Sequence, residues 1–512
     1  MRKDCAMKYT FVCPPGVWSE ARAYLREASR DGRESYAVIL CGRHVGAGET
    51  RFLAKRFIAL EPGCYEYREA AGLRLKRAVD MFLAQFIDEQ GLDVVHLHTH
   101  PGHGHAHFSK VDDLHERKYA TFLRSSLRRR PWLLSLVADR GVRNMNVRLW
   151  VPHGRGMRTE PVRLSGGLLD DLKERVEKKS TEECSKEYDR QVRAFGEEGQ
   201  RMLGELHIGL VGCGGLGAVL VELLSRLGVR RWTLVDDDIV DVTNLNRLTG
   251  ALHKDALERI SKVTVAERHI SRLHGPRARV RAFRSGIEKE RAAKAIAAAD
   301  VIAAATDNHA SRVKAQEIAN RYMRPLVNIG VDLERSEKDR EQLGHIVGRV
   351  TVPPVDGGWC LVCEGLIDPV TAAEETADEE TRSVLKARGY LEGTPAPAVY
   401  WVNAMAASLA AGVVHNLVGG FARSVSDRMI DMLGGEILDI SHERREGCLW
   451  CGREGYLGSG DLTEEEHCTS SDTDGGSNGD ILGWASEKLL AVDEEKGSPA
   501  ADEAPMADWE RR

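Results

Sequence analysis

Two pairs of cysteines constrain this 512-residue chain more than any other feature of its sequence. Cys360-Leu-Val-Cys363 and Cys448-Leu-Trp-Cys451 are far apart, yet each pair has the spacing with which a tight turn presents two thiolates to a tetrahedral zinc ion. The alternative is one redox-active pair beside a coincidental second pair. We expect a structural zinc site formed by Cys360, Cys363, Cys448 and Cys451, which ties two distant segments into one domain.

The chain is too long for a single hydrophobic core, so its length predicts at least two domains. We expect an α/β domain over residues 1–152, because β-type apolar runs alternate there with helical segments. A charged linker is predicted over 153–184, with a helix at Leu168–Glu177. A second α/β domain follows over 185–456, and an acidic, Gly- and Ser-rich tail that we expect to be disordered covers 457–512.

Composition excludes several classes of protein. The chain carries 72 basic and 78 acidic residues, a net charge of −6, and lacks a basic stripe interleaved with aromatic residues, so a nucleic-acid partner is not expected. The apolar segment Val399–Val418 is interrupted by Asn403 and His415, which favours a buried helix over a membrane span. With eleven cysteines, four of them in metal spacing, and no secretion signal, we expect a cytoplasmic protein.

A doubly wound parallel sheet is predicted from the strand His207–Val211 onward. Strands and helices alternate from this point, and the first strand runs into a turn with four glycines, Gly212, Gly214, Gly215 and Gly217. Such a turn lets backbone amides approach phosphates at a helix N-terminus. Asp236 ends the next strand and is spaced to bind a ribose, which would equally fit a dinucleotide such as NAD.

Polar residues at the ends of later elements favour a triphosphate with magnesium. Asn244, Arg247, Lys262 and Asp307 supply a carboxamide, two cations and a carboxylate, the groups that neutralise and position phosphates. An exposed strand-end charge pair is the simpler interpretation of Arg247 and Asp307. Cys213 lies inside the glycine turn, where packing is the expected role of a small residue.

The segment from Tyr188 to Cys451 resembles the ThiF/MoeB and ubiquitin-activating-enzyme family, which adenylates the C-terminal glycine of ubiquitin-like or sulfur-carrier proteins. The resemblance rests on Tyr188-Asp-Arg-Gln191, the glycine turn, Val235-Asp-Asp-Asp238, Asn244-Leu-Asn-Arg247, Thr306-Asp-Asn308 and the paired cysteines. It implies that Asp236 binds the ribose, that Asn244, Arg247 and Lys262 bind the phosphates, and that Asp307 binds Mg²⁺.

The resemblance also implies that Arg190 acts as an arginine finger supplied by a partner subunit, and hence a homodimer. Lys262 lies about two residues later than the family spacing, with Lys254 as the alternative. Residues 364–418 contain no cysteine, although many relatives carry a nucleophilic thiol there. The segment Lys386–Leu391 stands in its place, so we expect adenylation without a thioester at that position. Cys184 and Cys468 have no motif that would activate them.

The N-terminal domain contains a second constellation suited to a metal. His98 and His100 are two residues apart in a predicted strand and therefore point to the same face. Asp112, one turn into a helix that starts near Ser109, is a candidate third ligand, and Glu34 is an upstream carboxylate placed to act as a general base. Ser-x-x-Asp is also an ordinary capping box, and the surrounding histidine-rich tract could bind metal loosely.

These residues resemble the JAB/MPN metallopeptidase family, whose pattern is an upstream Glu, then His-x-His-Pro, then Ser-x-x-Asp. The resemblance covers roughly the first third of the chain, and the gap between His100 and Ser109 is one residue longer than in the most familiar form. It implies a catalytic zinc held by His98, His100 and Asp112, with Glu34 as general base and Ser109 supporting the oxyanion.

Together the two halves predict a bifunctional enzyme. The N-terminal zinc-dependent peptidase or isopeptidase would process or remove a ubiquitin-like or sulfur-carrier protein, and the C-terminal domain would adenylate its terminal glycine with ATP and Mg²⁺. A conjugating enzyme or a sulfurtransferase would be a further partner. Two alternatives remain open: a sulfur-transfer enzyme for cofactor or metabolite synthesis, and a non-catalytic scaffold that binds both partners.

Overall fold

The N-terminal part of the chain forms a mixed, eight-stranded sheet. The structure, a computed structural model, describes residues 7–462 except 47, 71, 101–105, 167–168, 179–185, 336–342, 378–396 and 446. The strands are β1 Lys8–Val12, β2 Tyr36–Val45, β3 Glu49–Ala59, β4 Tyr65–Glu69, β5 Gly72–Leu75, β6 Asp93–His100, β7 Leu133–Asp139, β8 Met145–His153, β9 Gly156–Pro161 and β10 Arg163–Ser165. The order in the sheet is β10-β1-β3-β2-β6-β7-β8-β9, and β4 pairs with β5 in a separate hairpin.

Helices cover both faces of this sheet because its central strands are apolar on both sides. The helices are α1 Pro15–Ala28, α2 Arg77–Gln90 and α3 Lys110–Ser126. In β2, Ile39 packs in the core beneath α1, whereas its neighbours Val38 and Leu40 pack in the core beneath α2 and α3. In β6, Val94 belongs to the α2 and α3 side. Strand alternation then puts the even-numbered histidines of β6 on the face that α3 covers.

The C-terminal part is built on a second eight-stranded sheet in the order β13-β12-β11-β14-β15-β16-β17-β18. Its strands are β11 His207–Val211, β12 Arg231–Val235, β13 Arg279–Phe283, β14 Val301–Ala304, β15 Leu326–Arg335, β16 Leu343–Thr351, β17 Asp427–Asp431 and β18 Glu436–Asp439. Strands β11 to β15 are parallel, and β16 to β18 add an antiparallel extension. The predicted doubly wound arrangement is confirmed.

The helices of this part are α4 Asp170–Glu177, α5 Asp189–Glu205, α6 Gly215–Leu227, α7 His253–Leu257, α8 Lys262–His274, α9 Glu290–Ala297, α10 His309–Tyr322, α11 Pro369–Thr376 and α12 Tyr400–Gly419. Helix α6 begins on the glycine turn and ends at Gly228, whose φ of 112° suits glycine at a helix C-terminus. Helix α12 meets the length and composition expected of a membrane span, yet half of its apolar window is buried within the protein. It packs against α6 and the sheet, as the sequence predicted for a buried helix.

The expected linker over 153–184 is wrong in its first part. Residues 156–165 form the strands β9 and β10, which occupy opposite edges of the N-terminal sheet. Most side chains of β9 are exposed, and β10 is only three residues long, so neither strand carries the period-2 apolar pattern that identifies a strand. The helix predicted at Leu168–Glu177 is present as α4, and residues 179–185, which include Cys184, lie outside the described residues.

The predicted start of the tail at residue 457 is also too early. Residues 455–462, which we call the strap, leave the second cysteine pair and pack against the N-terminal sheet. Leu457 and Ser459 are buried, and Asp461 accepts hydrogen bonds from the backbone N–H of Val45 and the hydroxyl of Tyr322. Residues 463–512 lie outside the described residues.

A buried lysine anchors the strap to β3. Lys55 donates hydrogen bonds to the backbone carbonyls of Gly455 and, at 3.1 Å, Leu457. Burial lowers the pKa of this ammonium group to about 7, with Arg56 and Arg321 acting in the same direction. The lysine therefore supplies hydrogen-bond donors to the main-chain carbonyls of two buried residues of the strap.

We predict that Gly42→Ala will displace the strap. A Cβ at position 42 would lie 2.1 Å from the carbonyl oxygen of Gly458, a backbone atom that cannot rotate away. The substitution should destabilise the protein by about 1–3 kcal/mol and expose the strap. Thermal unfolding and limited proteolysis between residues 455 and 462 measure both effects. The control is Gly63→Ala, where no atom lies within 4 Å of the added methyl group; equal behaviour of the two variants would contradict the prediction.

Candidate functional site

The glycine turn lies at the carboxyl end of β11, the central parallel strand. Gly212 has a φ of 90°, and a Cβ there would approach the carbonyl of Ala305 to 2.7 Å. A Cβ at Gly217 would lie 2.0 Å from the carbonyl oxygen of Gly212. These positions therefore require glycine for backbone conformation and for close contact between the turn and β14.

The strand order places this turn at a topological switch point. Strand β11 has β12 on one side and β14 on the other, so the loops that follow β11 and β14 diverge and leave a crevice between them. The polar residues Thr306 and Asp307 follow the end of β14 after Ala305, on the loop at this edge of the sheet. A nucleotide bound on the glycine turn would meet these residues.

Asp236 connects the end of β12 to the glycine turn. Its carboxylate accepts hydrogen bonds from the backbone N–H of Cys213 at 2.6 Å and of Asp238 at 2.8 Å. Burial raises its pKa to about 6, although Lys262 and these N–H donors act to lower it. The geometry suits an acceptor for the hydroxyls of a ribose seated against the turn.

Lys262 lies beside this carboxylate. Its ammonium group is 2.6 Å from a carboxylate oxygen of Asp238, and its backbone N–H bonds to the carbonyl of Asp238. Lys254, the alternative, lies on α7, exposed and paired with Glu258. The structure thus brings Lys262, rather than Lys254, next to Asp236, while a phosphate contact for Lys262 stays a prediction.

Arg247 and Asn244 lie on the loop after β12. The aliphatic part of Arg247 packs over the turn, since a Cβ at Gly215 would come within 3.0 Å of its Cγ. Its guanidinium donates to the carbonyl of Thr243 at 2.6 Å. Asn244 accepts from the backbone N–H of Asp241 at 3.1 Å, which fixes its carboxamide at the loop.

Sequence reasoning missed Asn403 as a site residue. It lies on α12, is buried, and its side-chain amide would be 2.7 Å from a Cβ at Gly215. The sequence signal for Asn403 is that it is a polar residue within an apolar helix. Its assignment to the site depends on its contact with the glycine turn. Arg312, which donates to the carbonyl of Thr306 at 2.8 Å, similarly braces the loop that carries Asp307.

Asp307 and Arg190 are both exposed. Asp307 is near enough to Arg312 to raise the pKa of that guanidinium, while burial, the larger effect, lowers it. Arg190 lies in the first turn of α5, at the surface. The predicted arginine-finger and magnesium roles therefore concern side chains that are accessible to a partner and to solvent cations.

The two cysteine pairs converge as expected. The thiol sulfurs of Cys360, Cys363, Cys448 and Cys451 all lie within 4.8 Å of one another, and those of Cys360 and Cys448 are 3.9 Å apart. Tetrahedral zinc with Zn–S bonds of about 2.3 Å needs sulfurs about 3.8 Å apart. The hydrogen bond between Cys360 and Cys448 lowers the pKa of Cys448 and raises that of Cys360. The four residues fit a structural zinc.

His98, His100 and Asp112 also converge. Their candidate ligand atoms lie within 4.8 Å of one another, and the Nε2 atoms of the two histidines are 3.6 Å and 3.5 Å from the carboxylate of Asp112. The buried Nε2 of His98 has no hydrogen-bond partner among the described residues. An unpaired imidazole nitrogen facing a second imidazole and a carboxylate fits a zinc ion with an open position.

Asp112 is fixed by the capping box at the start of α3. Ser109 accepts from the backbone N–H of Asp112 at 3.1 Å, and Asp112 accepts from the backbone N–H of Ser109 at 2.5 Å. Asp112 therefore belongs both to the capping box and to the candidate ligand set. Burial, which alone would raise the pKa of Asp112, is outweighed by His100 and His98, and the carboxylate is held well below its usual range.

Glu34 lies beside the same histidines. Burial raises the pKa of its carboxyl group, while the nearby His100 and His98 act in the opposite direction. A carboxyl group at the edge of a metal centre can accept and return a proton. The backbone of Glu34 is fixed by a hydrogen bond from its N–H to the carbonyl of Glu69 at 2.8 Å.

Some predictions lie outside the described residues. They are Cys184, Cys468, the segment Lys386–Leu391 and most of the histidine-rich tract between His100 and Ala106.

Comparison with known proteins relates the second half of the chain to a family. Residues 188–441 match the model of the ThiF family. The chain is 30% identical over 263 residues to adenylyltransferase and sulfurtransferase MOCS3 of Mus musculus, covering 51% of this chain and 50% of that protein. It is 35% identical over 127 residues to molybdopterin-synthase adenylyltransferase of Escherichia coli strain K12, covering 24% of this chain and 50% of that protein.

A solved structure described as E. coli MccB with ATP shares 18% identity and a TM-score of 0.41, covering 52% of this chain and 75% of that chain. The chain spans about half the length of the curated relatives it matches.

We predict that adenosine will bind more weakly as the pH falls through about 6, the pKa of Asp236. Protonation removes the charged acceptor for the ribose hydroxyls, and one pH unit below the pKa about one chain in ten retains it, so affinity should fall by about tenfold at pH 5. Adenosine is the probe because none of its groups titrates in this range.

Titration followed by NMR measures the adenosine affinity. Asp236→Asn should bind weakly with a flat pH profile, while Asp237→Asn, an exposed neighbour, should keep the native profile. A pH dependence that survives in Asp236→Asn would assign it to another group.

Proposed function

We propose, from the ThiF-family domain at residues 188–441, that this chain adenylates the C-terminal glycine of a small sulfur-carrier or ubiquitin-like protein. The observation that carries the proposal is the convergence of the glycine turn, Asp236 and Lys262 at the switch point of the parallel sheet. A ribose acceptor and a cation lie beside backbone amides that can hold phosphates.

In the proposed reaction the terminal carboxylate of the carrier protein attacks the α-phosphorus of ATP. A bond forms between the carboxylate oxygen and this phosphorus, the bond to the bridging oxygen breaks, and pyrophosphate leaves with the electron pair. Arg247 and Lys262 would neutralise the charge that develops on the phosphates, and Asp307 would hold Mg²⁺. Magnesium held by Asp307 would supply positive charge that favours departure of the pyrophosphate.

The names of the relatives favour sulfur transfer over protein conjugation as the fate of the adenylate. One relative is named an adenylyltransferase and sulfurtransferase, and the other is named a molybdopterin-synthase adenylyltransferase. Residues 364–418 contain no cysteine, so we propose that an external sulfur nucleophile attacks the acyl-adenylate and displaces AMP. A conjugating enzyme that supplies its own thiol is the alternative acceptor.

A homodimer is part of the proposal. Trp401 and Met405 on α12 expose apolar side chains. Phe195 of α5 and Phe421 are also exposed, and their rings pack at a tilt with centroids 4.9 Å apart. Arg190 lies on the same helix as Phe195. We propose that a second copy covers these exposed apolar side chains and brings its Arg190 to the partner's site.

We predict that ATP–pyrophosphate exchange will depend on a β-grasp protein ending in Gly-Gly and on Asp307. Loss of the magnesium-binding carboxylate should lower the exchange rate by about 100-fold or more in Asp307→Ala. Asp332→Ala, an exposed aspartate of the same domain paired with His345, is the matched control and should exchange at the native rate. Tight ATP binding without exchange for any carrier would instead support a scaffold.

The same exchange assay tests the dimer. A mixture of Arg190→Ala and Asp307→Ala chains should recover about a quarter of the native rate, because half of the dimers are mixed and each rebuilds one of two sites. No recovery, with Arg190→Ala inactive by itself, would place the arginine in its own subunit. Mass spectrometry of the carrier after adding a persulfide donor or a conjugating enzyme distinguishes the two fates of the adenylate.

For the N-terminal domain, we propose a JAB/MPN-like zinc peptidase that cleaves residues following the terminal glycine of the same carrier, or releases the carrier from conjugates. The juxtaposition of His98, His100, Asp112 and Glu34 favours this second activity. Zinc bound there would lower the pKa of a bound water to about 7 and polarise the scissile carbonyl. Glu34 would take a proton from the water and pass it to the leaving amine, and Ser109 would support the oxyanion.

We predict that Asp112→Ala and Glu34→Gln will both lose cleavage of a C-terminally extended carrier, for different reasons. The first should release about one equivalent of zinc, because a ligand is missing. The second should keep the zinc and lose about 10²–10⁴-fold in rate, because the proton acceptor is missing. Peptidase assays and metal analysis of the same preparations make the comparison, and native cleavage by Asp112→Ala would refute the peptidase.

A further inference from the structure

A buried arginine lies behind the N-terminal metal centre and has no part in the chemistry proposed above. Arg148, on β8, is largely buried, and its guanidinium donates to the carboxylate of Asp113 at 2.5 Å. It also donates to the carboxylate of Glu116 through two nitrogens, at 3.0 Å and 2.6 Å. One side chain thus spans two carboxylates of α3.

These contacts enclose the segment that carries Asp112. Asp113 is the next residue after the predicted ligand, and Glu116 lies one helical turn further along the same face. On the other side, the guanidinium carbon of Arg148 lies 3.7 Å from the centroid of the Phe108 ring, just before the capping box. Phe108 in turn packs beside His98, with ring centroids 6.0 Å apart.

Trp150 forms a further contact with the guanidinium of Arg148 and with one of the carboxylates that Arg148 binds. Trp150, fully buried on the same strand, donates its indole N–H to the carboxylate of Glu116 at 3.0 Å. The guanidinium carbon of Arg148 lies 5.0 Å from the Trp150 ring. Arg148 is thus held between two aromatic rings and two carboxylates, so it has little freedom to move relative to the sheet.

We infer that Arg148 is a positioning residue of the metal centre: it anchors residues 108–116 to the sheet and thereby aims the carboxylate of Asp112 at His98 and His100. The inference rests on the proposed metal site of the N-terminal domain. Residues that orient the ligands of a metal commonly change its affinity by 10–100-fold when they are replaced.

Simple electrostatics predicts the opposite effect, which makes the inference testable. A guanidinium cation repels a nearby metal cation, so its removal alone should strengthen metal binding. Loss of positioning should weaken it. Arg148→Gln paired with Glu116→Gln removes one positive and one negative charge, so this double variant leaves the net charge unchanged and isolates positioning.

The experiment uses the full chain and measures the zinc affinity of the N-terminal centre by competition with a chromophoric chelator. Cobalt substitution separates the two metal centres, because the cysteine site gives thiolate-to-cobalt absorption and the histidine–aspartate site does not. We expect Arg148→Gln and the double variant each to bind zinc 10–100-fold more weakly at the histidine site, with an altered cobalt spectrum. The cysteine site should be unchanged in both.

Two further variants complete the test. Arg158→Gln, on the neighbouring strand β9, breaks an exposed pair with Glu160 and should leave both sites unaffected. Arg148→Lys should restore only part of the affinity, because an ammonium group cannot span both carboxylates and stack on Phe108. If Arg148→Gln does not fold, the charge-neutral double variant carries the test.

Unchanged or tighter zinc binding in both Arg148 variants would overturn the inference and leave the proposed metal site intact. If the native chain binds no metal at His98, His100 and Asp112, the proposed peptidase and the inference both fail.

Discussion

The close approach between the glycine turn and β14 is the constraint on which the C-terminal domain depends. With a φ of 90° at Gly212 and a Cβ at Gly217 excluded by a 2.0 Å approach to the carbonyl of Gly212, the chain can enter α6 only along this path. That path fixes the position of the backbone amides at the start of α6. The backbone N–H of Cys213, within the turn, donates a hydrogen bond to the carboxylate of Asp236. The turn can lie this close to the end of β14 because Gly212 and Gly217 have no side chains to separate the two backbones.

In the N-terminal metal centre, one motif both caps a helix and supplies a candidate metal ligand. Ser109 and Asp112 close a capping box, and the same carboxylate faces His98 and His100. The cap removes rotational freedom from Asp112 before any metal arrives, so less entropy is lost on binding. A helix start is a suitable support for a ligand because its unpaired N–H groups require an acceptor in any case.

Regular elements of the parallel sheet were predictable because buried strands and amphipathic helices leave clear periods in the sequence. Strand β11 has the bounds predicted for it, and strands and helices alternate after it as predicted. Residue spacing also predicted the pairing of His98 with His100 and the meeting of the two cysteine pairs. These predictions need only local geometry and the chemistry of the side chains.

The remaining features depend on contacts between distant segments. The edge strand β9 exposes most of its side chains and the edge strand β10 is only three residues long, so the sequence offers no apolar alternation to detect. Asn403 and Arg148 each occupy ordinary positions in a helix and a strand, and only their neighbours, Gly215 and Phe108, reveal their placement. The glycine- and serine-containing strap has the composition of a disordered segment, yet main-chain bonds to Lys55 order it, and composition carries no signal for such bonds.

The strap also has a consequence for how the chain folds as it is synthesised. Lys55 precedes its carbonyl partner Gly455 by 400 residues, so at about 5–20 residues per second the lysine emerges about 20–80 s before the group it binds. During that interval the edge of the N-terminal sheet near Gly42 is open, and the ammonium group of Lys55 must stay hydrated. The packing of the N-terminal sheet is therefore completed only after residue 455 has been made, so the strap links the final packing of this sheet to the synthesis of the C-terminal domain.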